Sequence, residues 1–379
     1  MIDLNSKLRP ILILLVLMSL IVTAGFLGDK TGLITVDRFD SEDNLEAGEV
    51  NVLSLPRVLI GGTDGDIYLL DQASNVKFIG NVNDDIQDIE RSENDVFVAT
   101  VRDNNQDEEF ERSNGKLMKF STERENALPL GNLFVSPVQT AEIGGQLLDL
   151  EVSGGQIIAA SHSHESPSNT EGETVYKGKI SIIDREKLEM EREIELGGAS
   201  DIKVYEDSVL AYGVGPRAVT LDKDSLTIEN ELEVEGTIAG AEKQGDNYFV
   251  TSVREHVVTE VPTRPTVRHG HITKYNEEGE EIVSIDTGIT SRPREIIRYE
   301  EDVMIVNDFA EEEIKFVDFN QEDVIDTISL EDRPGHLTVS RGKAYAVGSD
   351  EDLLYIIDLE TRTLEDSIKI NGINSISDY

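Results

Sequence analysis

The sequence contains no cysteine and no tryptophan, and positively charged residues are scarce. Without cysteine the chain forms neither a disulfide nor a thiolate metal site, and it offers no cysteine for a lipid anchor. Lysine and arginine total 34 against 76 aspartates and glutamates, which gives a formal net charge of −42. Nucleic-acid binding is therefore disfavoured, because phosphate contacts require clustered lysine and arginine.

The acidic residues are spread along the chain instead of forming one block. An intrinsically disordered acidic chain is not expected, since hydrophobic residues make up 38% and fall in regular strand-like runs. Two explanations remain. The charge attracts a cationic partner, or it keeps the surface hydrated in molar salt, as in the proteins of halophilic archaea. The small number of lysines, with no cysteine and no tryptophan, favours the second.

The N-terminus carries a membrane-targeting pattern. Lys7 and Arg9 precede an unbroken apolar run over residues 11–27. This length is the lower limit for a transmembrane helix and the upper end for the apolar part of a signal peptide. Residues 1–30 are therefore predicted to be a hydrophobic helix, either a cleaved signal peptide or a retained anchor. Both predict an extracellular or cell-surface protein, with the N-terminal segment cleaved or held in the cytoplasmic membrane.

Residues 31–49 are polar and acidic, which predicts a linker, and a repeat follows over residues 50–379. Seven strand-like runs each end in a turn-forming residue, and a second apolar run precedes each of them. The turn residues are Asp71, Ser121, Asp184, Asp222, Asn276, Asp318 and Asp358. Their mean spacing of about 48 residues is typical of a four-stranded propeller blade. The sequence thus predicts an all-β, seven-bladed β-propeller.

The seventh unit resembles the repeat of a known family. Residues 333–339, then 343–347 and 355–358, are similar to the repeat of YVTN-type seven-bladed propellers, which include many archaeal surface and secreted proteins. The resemblance covers roughly residues 50–379 and lies in the pattern more than in residue identity. It implies a propeller that binds partners, and it implies no particular activity.

The end of the chain predicts how the ring closes. Residues 372–379 follow a complete seventh unit and match the beginning of other units, such as residues 201–204. We expect this segment to supply the innermost strand of the first blade, so that no sheet edge stays open.

Long loops between the second and third strands of a unit occur at residues 102–114, 161–177 and 253–269. Extended loops on a rigid scaffold are common binding sites. All six histidines map to this end of the propeller, the top face. His-x-His pairs place both rings on one side of a strand, which suits a divalent metal ion. His162, His164, His269 and His271 are therefore predicted metal ligands, with solvent-exposed loop histidines as the alternative.

Arginines gather on the same face. Arg254, Arg268, Arg294 and Arg333, with His336, are predicted to bind an anionic ligand, because a locally basic pocket attracts carboxylate, phosphate or an acidic glycan. The alternative is that each arginine pairs with a nearby glutamate or aspartate. The expected partners are a protein, a glycan or an anionic small molecule, and the membrane if the N-terminal segment is retained.

No motif for nucleophilic, metalloprotease or phosphate-loop chemistry occurs. The sequence therefore favours a non-catalytic binding module. The alternative is an exported enzyme, metal-dependent or lactonase-like, with its centre on the top face. Residues 333–336 resemble the start of a blade in propeller lactonases, which is the reason to retain that alternative.

Overall fold

The computed structural model describes residues 34–36, 58–71, 74–92, 95–101, 115–121, 136–165, 175–197, 199–213, 215–257 and 266–378. The predicted N-terminal helix of residues 1–30 lies outside these ranges. Within them, no helix has the length and apolar character needed to cross a membrane.

The first part of the described chain forms strands β1 to β16. Their bounds are β1 Ile34–Val36, β2 Val58–Gly62, β3 Asp66–Leu70, β4 Val76–Asn81, β5 Asp85–Ser92, β6 Asp95–Val101, β7 Gly115–Ser121, β8 Gln139–Glu142, β9 Gln146–Ser153, β10 Gln156–Glu165, β11 Val175–Asp184, β12 Met190–Leu196, β13 Ala199–Val204, β14 Ser208–Gly213, β15 Arg217–Asp222 and β16 Ile228–Glu233.

The remaining strands complete the ring. They are β17 Thr237–Gln244, β18 Asn247–Val257, β19 Thr266–Tyr275, β20 Glu281–Ile289, β21 Pro293–Arg298, β22 Val303–Asp308, β23 Glu313–Asp318, β24 Asp323–Ser329, β25 Pro334–Ser340, β26 Lys343–Gly348, β27 Leu353–Asp358, β28 Thr363–Ile370 and β29 Ile373–Asp378.

These strands form seven sheets, which are the blades of a β-propeller. Blades 2 to 7 each use four consecutive strands, from β5–β8 to β25–β28, and every neighbouring pair is antiparallel within each blade. The first strand of each group lines the central channel. The predicted all-β, seven-bladed propeller is confirmed.

Blade 1 joins the two ends of the described repeat. Its order is β29-β2-β3-β4, so the C-terminal strand is the innermost strand of the first blade. Val58 pairs with Asp378, and Ile60 pairs with Ile376. The predicted closure of the ring by the C-terminal segment is confirmed.

One short strand lies inside the segment predicted as a linker. β1 pairs in parallel with β28, with Ile34 opposite Ile368 and Val36 opposite Ile370. It adds a fifth strand to the outer edge of blade 7.

The hydrophobic core lies between the blades. All the residues of β14 and β22, in the middle of their sheets, are buried, whereas most residues of the outer strand β12 are exposed. Both faces of a middle strand are covered by neighbouring blades, which explains continuous apolar runs in place of alternation. One cluster between blades 7 and 1 contains Ile60 and Ile376 beside Tyr345 and Ile356, so the closing strand is part of the core.

Six of the seven turn residues that define the repeat cap their turns as predicted. The side chain of Asp222 accepts a hydrogen bond from the amide of Ser225 at 2.7 Å, and that of Asp358 accepts one from Thr361 at 2.8 Å. Equivalent bonds to backbone amides are made by Asp71, Asp184, Asn276 and Asp318. The repeat visible in the sequence is therefore a repeat of turn chemistry.

Candidate functional site

Each of the seven inner strands has a β-bulge at an equivalent position. In β5 the register shifts between Ile86 and Asp88, and in β13 it shifts between Ala199 and Asp201. The other inner strands have the same irregularity near residues 148, 239, 294–295, 335–336 and 374. A bulge inserts one residue and re-aims the side chains that follow it.

The residue after each bulge defines an upper ring around the channel, and the residue two positions later defines a lower ring, because side chains two apart lie on one face of a strand. The upper ring consists of Asp88, Asp149, Asp201, Gly240, Glu295, His336 and Ser375. The lower ring consists of Glu90, Glu151, Lys203, Glu242, Ile297, Thr338 and Ser377. All of the lower ring and five members of the upper ring line one cavity of about 280 Å³.

Carboxylates of the upper ring connect adjacent blades. Asp88 Oδ2 accepts a hydrogen bond from the amide of Leu150 at 2.9 Å, and Asp149 Oδ2 accepts one from Ile202 at 2.7 Å. Glu295 Oε2 likewise accepts from the amide of Leu337 at 2.5 Å. In each case the donor follows the ring residue of the next blade, so these acids fix the spacing of the blades.

Blade 5 breaks the pattern. Its ring position is Gly240, where a Cβ would collide with the carbonyl oxygen of Arg294 in blade 6. Blade 4 supplies a large side chain beside it, because Tyr212 pairs with Asp201 and packs against Ile238 and Ala241 of blade 5. Tyr212 also lines the cavity. Gly240 therefore lets blades 5 and 6 approach closely, and Tyr212 contributes to the channel wall where blades 4 and 5 meet.

His336 and Glu295 form an ion pair across the upper ring, with 3.1 Å between Nδ1 and Oε1. Burial lowers the pKa of His336, but the hydrogen bond to Glu295 and the charges of Glu295, Asp88 and Asp201 outweigh it, so the pKa is raised above its ordinary value. Burial raises the pKa of Glu295, and the bond and charge of His336 more than compensate, so that pKa is lowered. His336 is 44% exposed, and it lines the cavity.

The other upper-ring carboxyls resist ionisation. Burial raises the pKa of Asp149 well above its usual range, and the neighbouring charges of Asp88 and Asp201 raise it further. Burial also raises the pKa values of Asp88 and Asp201. Too few cations face these carboxyls to offset their repulsion and desolvation.

Lys203 is the one lysine of the lower ring. Burial lowers its pKa, but the charges of Glu151, Glu295, Asp149 and Glu242 outweigh that effect, and the pKa is raised. The channel therefore favours an ammonium group even after the cost of removing it from water.

We expect the substitution His336→Gln to destabilise the protein more near pH 6 than near pH 9. A group with a raised folded pKa stabilises the fold fully below its unfolded pKa of about 6.5, and this stabilisation is lost as the pH rises through the folded value. Glutamine keeps a donor for Glu295 but does not titrate. The melting temperatures of both proteins, measured at several pH values in fixed molar salt, test this. The carboxyl groups titrate in both proteins, so their effect cancels in the difference between the two melting temperatures. A difference that is constant across this pH range would contradict the account.

Two hairpins project from the top face. In blade 3 the pairing of β10 with β11 continues to Glu165, five residues beyond the ring-level residue Ala160. In blade 5 the pairing of β18 with β19 continues to Val257, six residues beyond Thr251. In the ranges that the structure describes, the second strands of the other blades continue at most two residues past this level. At about 3.3 Å per residue, these hairpins rise roughly 10 Å above their neighbours.

The predicted loops at residues 161–177 and 253–269 are thus strand at both ends, which corrects their predicted bounds, and residues 166–174 and 258–265 lie outside the described residues. Residues 162–165, 175–177, 254–257 and 266–269 continue the β-ladder. Prolines in these segments, such as Pro167 and Pro262, indicate turns, but they do not show how far the flanking strands extend. The predicted loop at residues 102–114 lies outside the described residues.

The predicted metal ligands lie on these two hairpins, with blade 4 between them. His162 is buried in β10. In β19, His269 lies 3.2 Å from Asp286, and its ring stacks on that of His271 with centroids 6.4 Å apart. Among the described residues no group of three or more histidines and acids is arranged to hold a metal ion. The side chain of His164 lies outside them, so the shared metal site stays a prediction.

The predicted arginine rim is largely paired with acids. Arg254 is buried and lies 3.3 Å from Glu281 and 3.5 Å from Glu235. Arg268 lies 2.9 Å from Glu255.

On blades 6 and 7, Arg333 lies 3.3 Å from Asp350. Arg294 and Arg333 both stack on the ring of Phe309, at 4.8 and 5.5 Å from its centroid. Of the five predicted ligand-binding residues, His336 alone lines the channel cavity.

The acidic channel was missed by the sequence reasoning. A signal was present in the inner strands of blades 2, 3 and 4. Each contains the four-residue pattern of an apolar residue, any residue, an aspartate and a second apolar residue. These segments are residues 86–89, 147–150 and 199–202. Histidine and arginine are scarce in this chain and therefore stand out, whereas aspartate is abundant, so three aspartates on inner strands do not.

The sequence matches no protein-family model and no curated protein. Solved structures share the fold. The chain is similar to the WD40 β-propeller domain of Doa1, with a TM-score of 0.55 and 12% identity over 86% of this chain and 90% of that one. It is also similar to the computationally designed Ika8 protein, with a TM-score of 0.53 and 11% identity over 83% and 85%. The protein is a seven-bladed β-propeller with a WD40 structural neighbour, a fold that commonly serves as a binding module.

Proposed function

We propose that the protein is a non-catalytic, extracellular binding module that grips a partner between its two projecting hairpins. The single observation that carries this proposal is that blades 3 and 5 alone, among the described strands, extend well beyond the ring on the top face. In blade 4 between them, β14 ends at Gly213 and β15 begins at Arg217, so this blade forms the floor of the cleft. Two walls and a floor on a rigid scaffold make a cleft for a protein or a glycan.

The paired arginines support a partner that is not strongly anionic. Arg254 and Arg268 of the blade 5 hairpin both have glutamates within 3.5 Å. An anionic ligand at this wall would have to displace those acids. We therefore favour a neutral glycan or a protein surface over a small anion.

Location and salt adaptation belong to the same proposal. The N-terminal apolar run with preceding basic residues supports export to the cell surface. The net charge of −42 supports a halophilic source, and the resemblance of the seventh unit to YVTN-type repeats agrees with an archaeal surface protein. The module is then held at the membrane or released by cleavage.

Shortening both hairpins tests the binding surface. Residues 163–177 and 255–268 are each replaced by Asn-Gly, which makes a two-residue hairpin turn. Because His162 pairs with Gly178 and Arg254 pairs with His269, the remaining strands stay in register. We expect the labelled protein to bind washed cells of its source saturably, and the shortened protein to lose about tenfold or more in affinity, the effect of losing a few interface residues.

The matched control changes the opposite face. Glu300 and Glu301 are exposed in the turn between β21 and β22, and their replacement by glutamine should leave binding unchanged. Equal binding by the shortened protein, with an unchanged melting temperature, would show that the hairpins are not the binding surface.

A further inference from the structure

We propose that the central channel binds a linear diamine or polyamine, with one ammonium group at each ring. This site is separate from the hairpin cleft and does not depend on it. The cavity of about 280 Å³ is lined by seven carboxyl side chains, one lysine and one histidine. The upper ring has four of these acids and the lower ring has three, and together they come from the five consecutive blades 2 to 6.

An unpartnered phenol points to a ligand at this place. Tyr212 is only 5% exposed and lines the cavity, yet none of the described residues accepts or donates a hydrogen bond to its hydroxyl group. The hydroxyl lies within the electrostatic reach of Asp201, Asp149 and Glu295. The hydroxyl oxygen can accept a hydrogen bond from an N–H donor in the cavity.

The carboxylate beside this phenol has spare acceptor capacity. Asp201 accepts one side-chain hydrogen bond, from Ser200 at 2.5 Å. An ionised carboxylate offers about four acceptor positions, and an ammonium group has three donors. The upper ring therefore presents acceptors from Asp201 and Tyr212 to a single cationic group.

Lys203 shows that the channel stabilises an ammonium ion. The negative charges around Lys203 raise its pKa by more than burial lowers it. Seven carboxyl groups line the cavity beside Lys203 and His336, and His336 pairs with Glu295. The raised pKa values of Asp88, Asp149 and Asp201 mean that a bound cation would drive protons off the ring.

The spacing of the rings favours an extended cation over a compact ion. Backbone positions two apart on a strand are separated by about 6.7 Å, and the acids of the two rings are spread along that length of the channel. A chain of about four methylene groups between two ammonium groups has a comparable length. Metal-type clustering of three or more acids or histidines is also absent from the described part of the chain.

Calorimetric titration of the purified full chain with putrescine, at fixed molar salt and in two buffers, tests this proposal. We expect one saturable site per chain and proton release that scales with the buffer's ionisation enthalpy. Tyr212→Phe and Asp201→Asn should each weaken binding about tenfold, the effect of losing a hydrogen bond to a charged group. Both substitutions keep the side-chain shape, and melting temperatures confirm that the fold is retained.

Controls separate the channel from the acidic surface. Glu229→Gln and Glu233→Gln change exposed acids of the outer strand β16 and should leave binding unchanged. The protein with shortened hairpins should bind putrescine normally. The channel proposal can therefore fail while the proposed function stands, and the proposed function can fail while the channel proposal stands. Weak, unsaturable binding in every variant, or a single site that Tyr212→Phe and Asp201→Asn leave intact, would overturn the proposal.

Discussion

In dilute buffer the propeller is expected to lose its fold and to regain it near molar KCl or NaCl. The net charge of −42 gives strong self-repulsion in a compact domain. Raising the salt from about 0.1 to 3 M shortens the screening length from about 10 Å to less than 3 Å, which removes most of that repulsion. Circular dichroism during salt titration and thermal melting measures the effect. A melting temperature that does not change over this range would contradict the halophilic interpretation.

A charge-reversal variant separates repulsion from other effects of salt. Glu191, Glu195, Glu229 and Glu233 are exposed on the outer strands β12 and β16. Replacing all four by lysine changes the net charge from −42 to −34 and removes no buried contact. We expect the folding midpoint to move to lower salt. An unchanged midpoint would mean that salt acts by strengthening hydrophobic burial instead.

Deleting residues 372–379 should be the most damaging small truncation. It removes β29, with Ile373 and Ile376 buried against the cluster shared by blades 7 and 1. Burying these two side chains stabilises the protein by about 1.5–3 kcal/mol each, so the loss is about 3–6 kcal/mol before the broken β-ladder is counted. It also leaves β2 as an open edge inside the channel. The melting temperature should fall sharply, with aggregation on heating.

A milder variant keeps this prediction measurable if the truncated chain does not fold. Ile376→Ala leaves the β29 backbone in place and should cost about 2–5 kcal/mol, as for other buried truncations. Removing Tyr379 alone serves as the control, because β29 ends at Asp378. A chain without residues 372–379 that melts at the same temperature as the full protein would mean that another segment completes blade 1.

The sequence predicted the fold well because its repeat is local. The turn at Asp358, with the strands on either side of it, is set by residues that are close in the chain. Closure by the C-terminal strand was predictable for the same reason, since residues 372–379 match the start of another unit.

The site was less predictable because it depends on the ring. The acids of the channel come from inner strands separated by tens of residues, and Asp88 meets the backbone of Leu150 only after the blades have assembled. Tyr212 reaches the channel from the second strand of blade 4, a position that spacing in the sequence does not reveal. The histidine pairs were visible in the sequence, but the path of their hairpins was not, since the ladder simply continues past the level of the other blades.

Hydrogen exchange of the protein bound to envelopes of its source cells tests the central claim, that the top hairpins bind the partner, most directly. The amides of β10 and β11 beyond Ser161, and those of β18 and β19 beyond Arg254, should exchange more slowly in the bound protein than in the free protein. The turn between β21 and β22 on the opposite face should be unaffected. Protection confined to that face or to the outer strands, or no protection at saturation, would contradict the account.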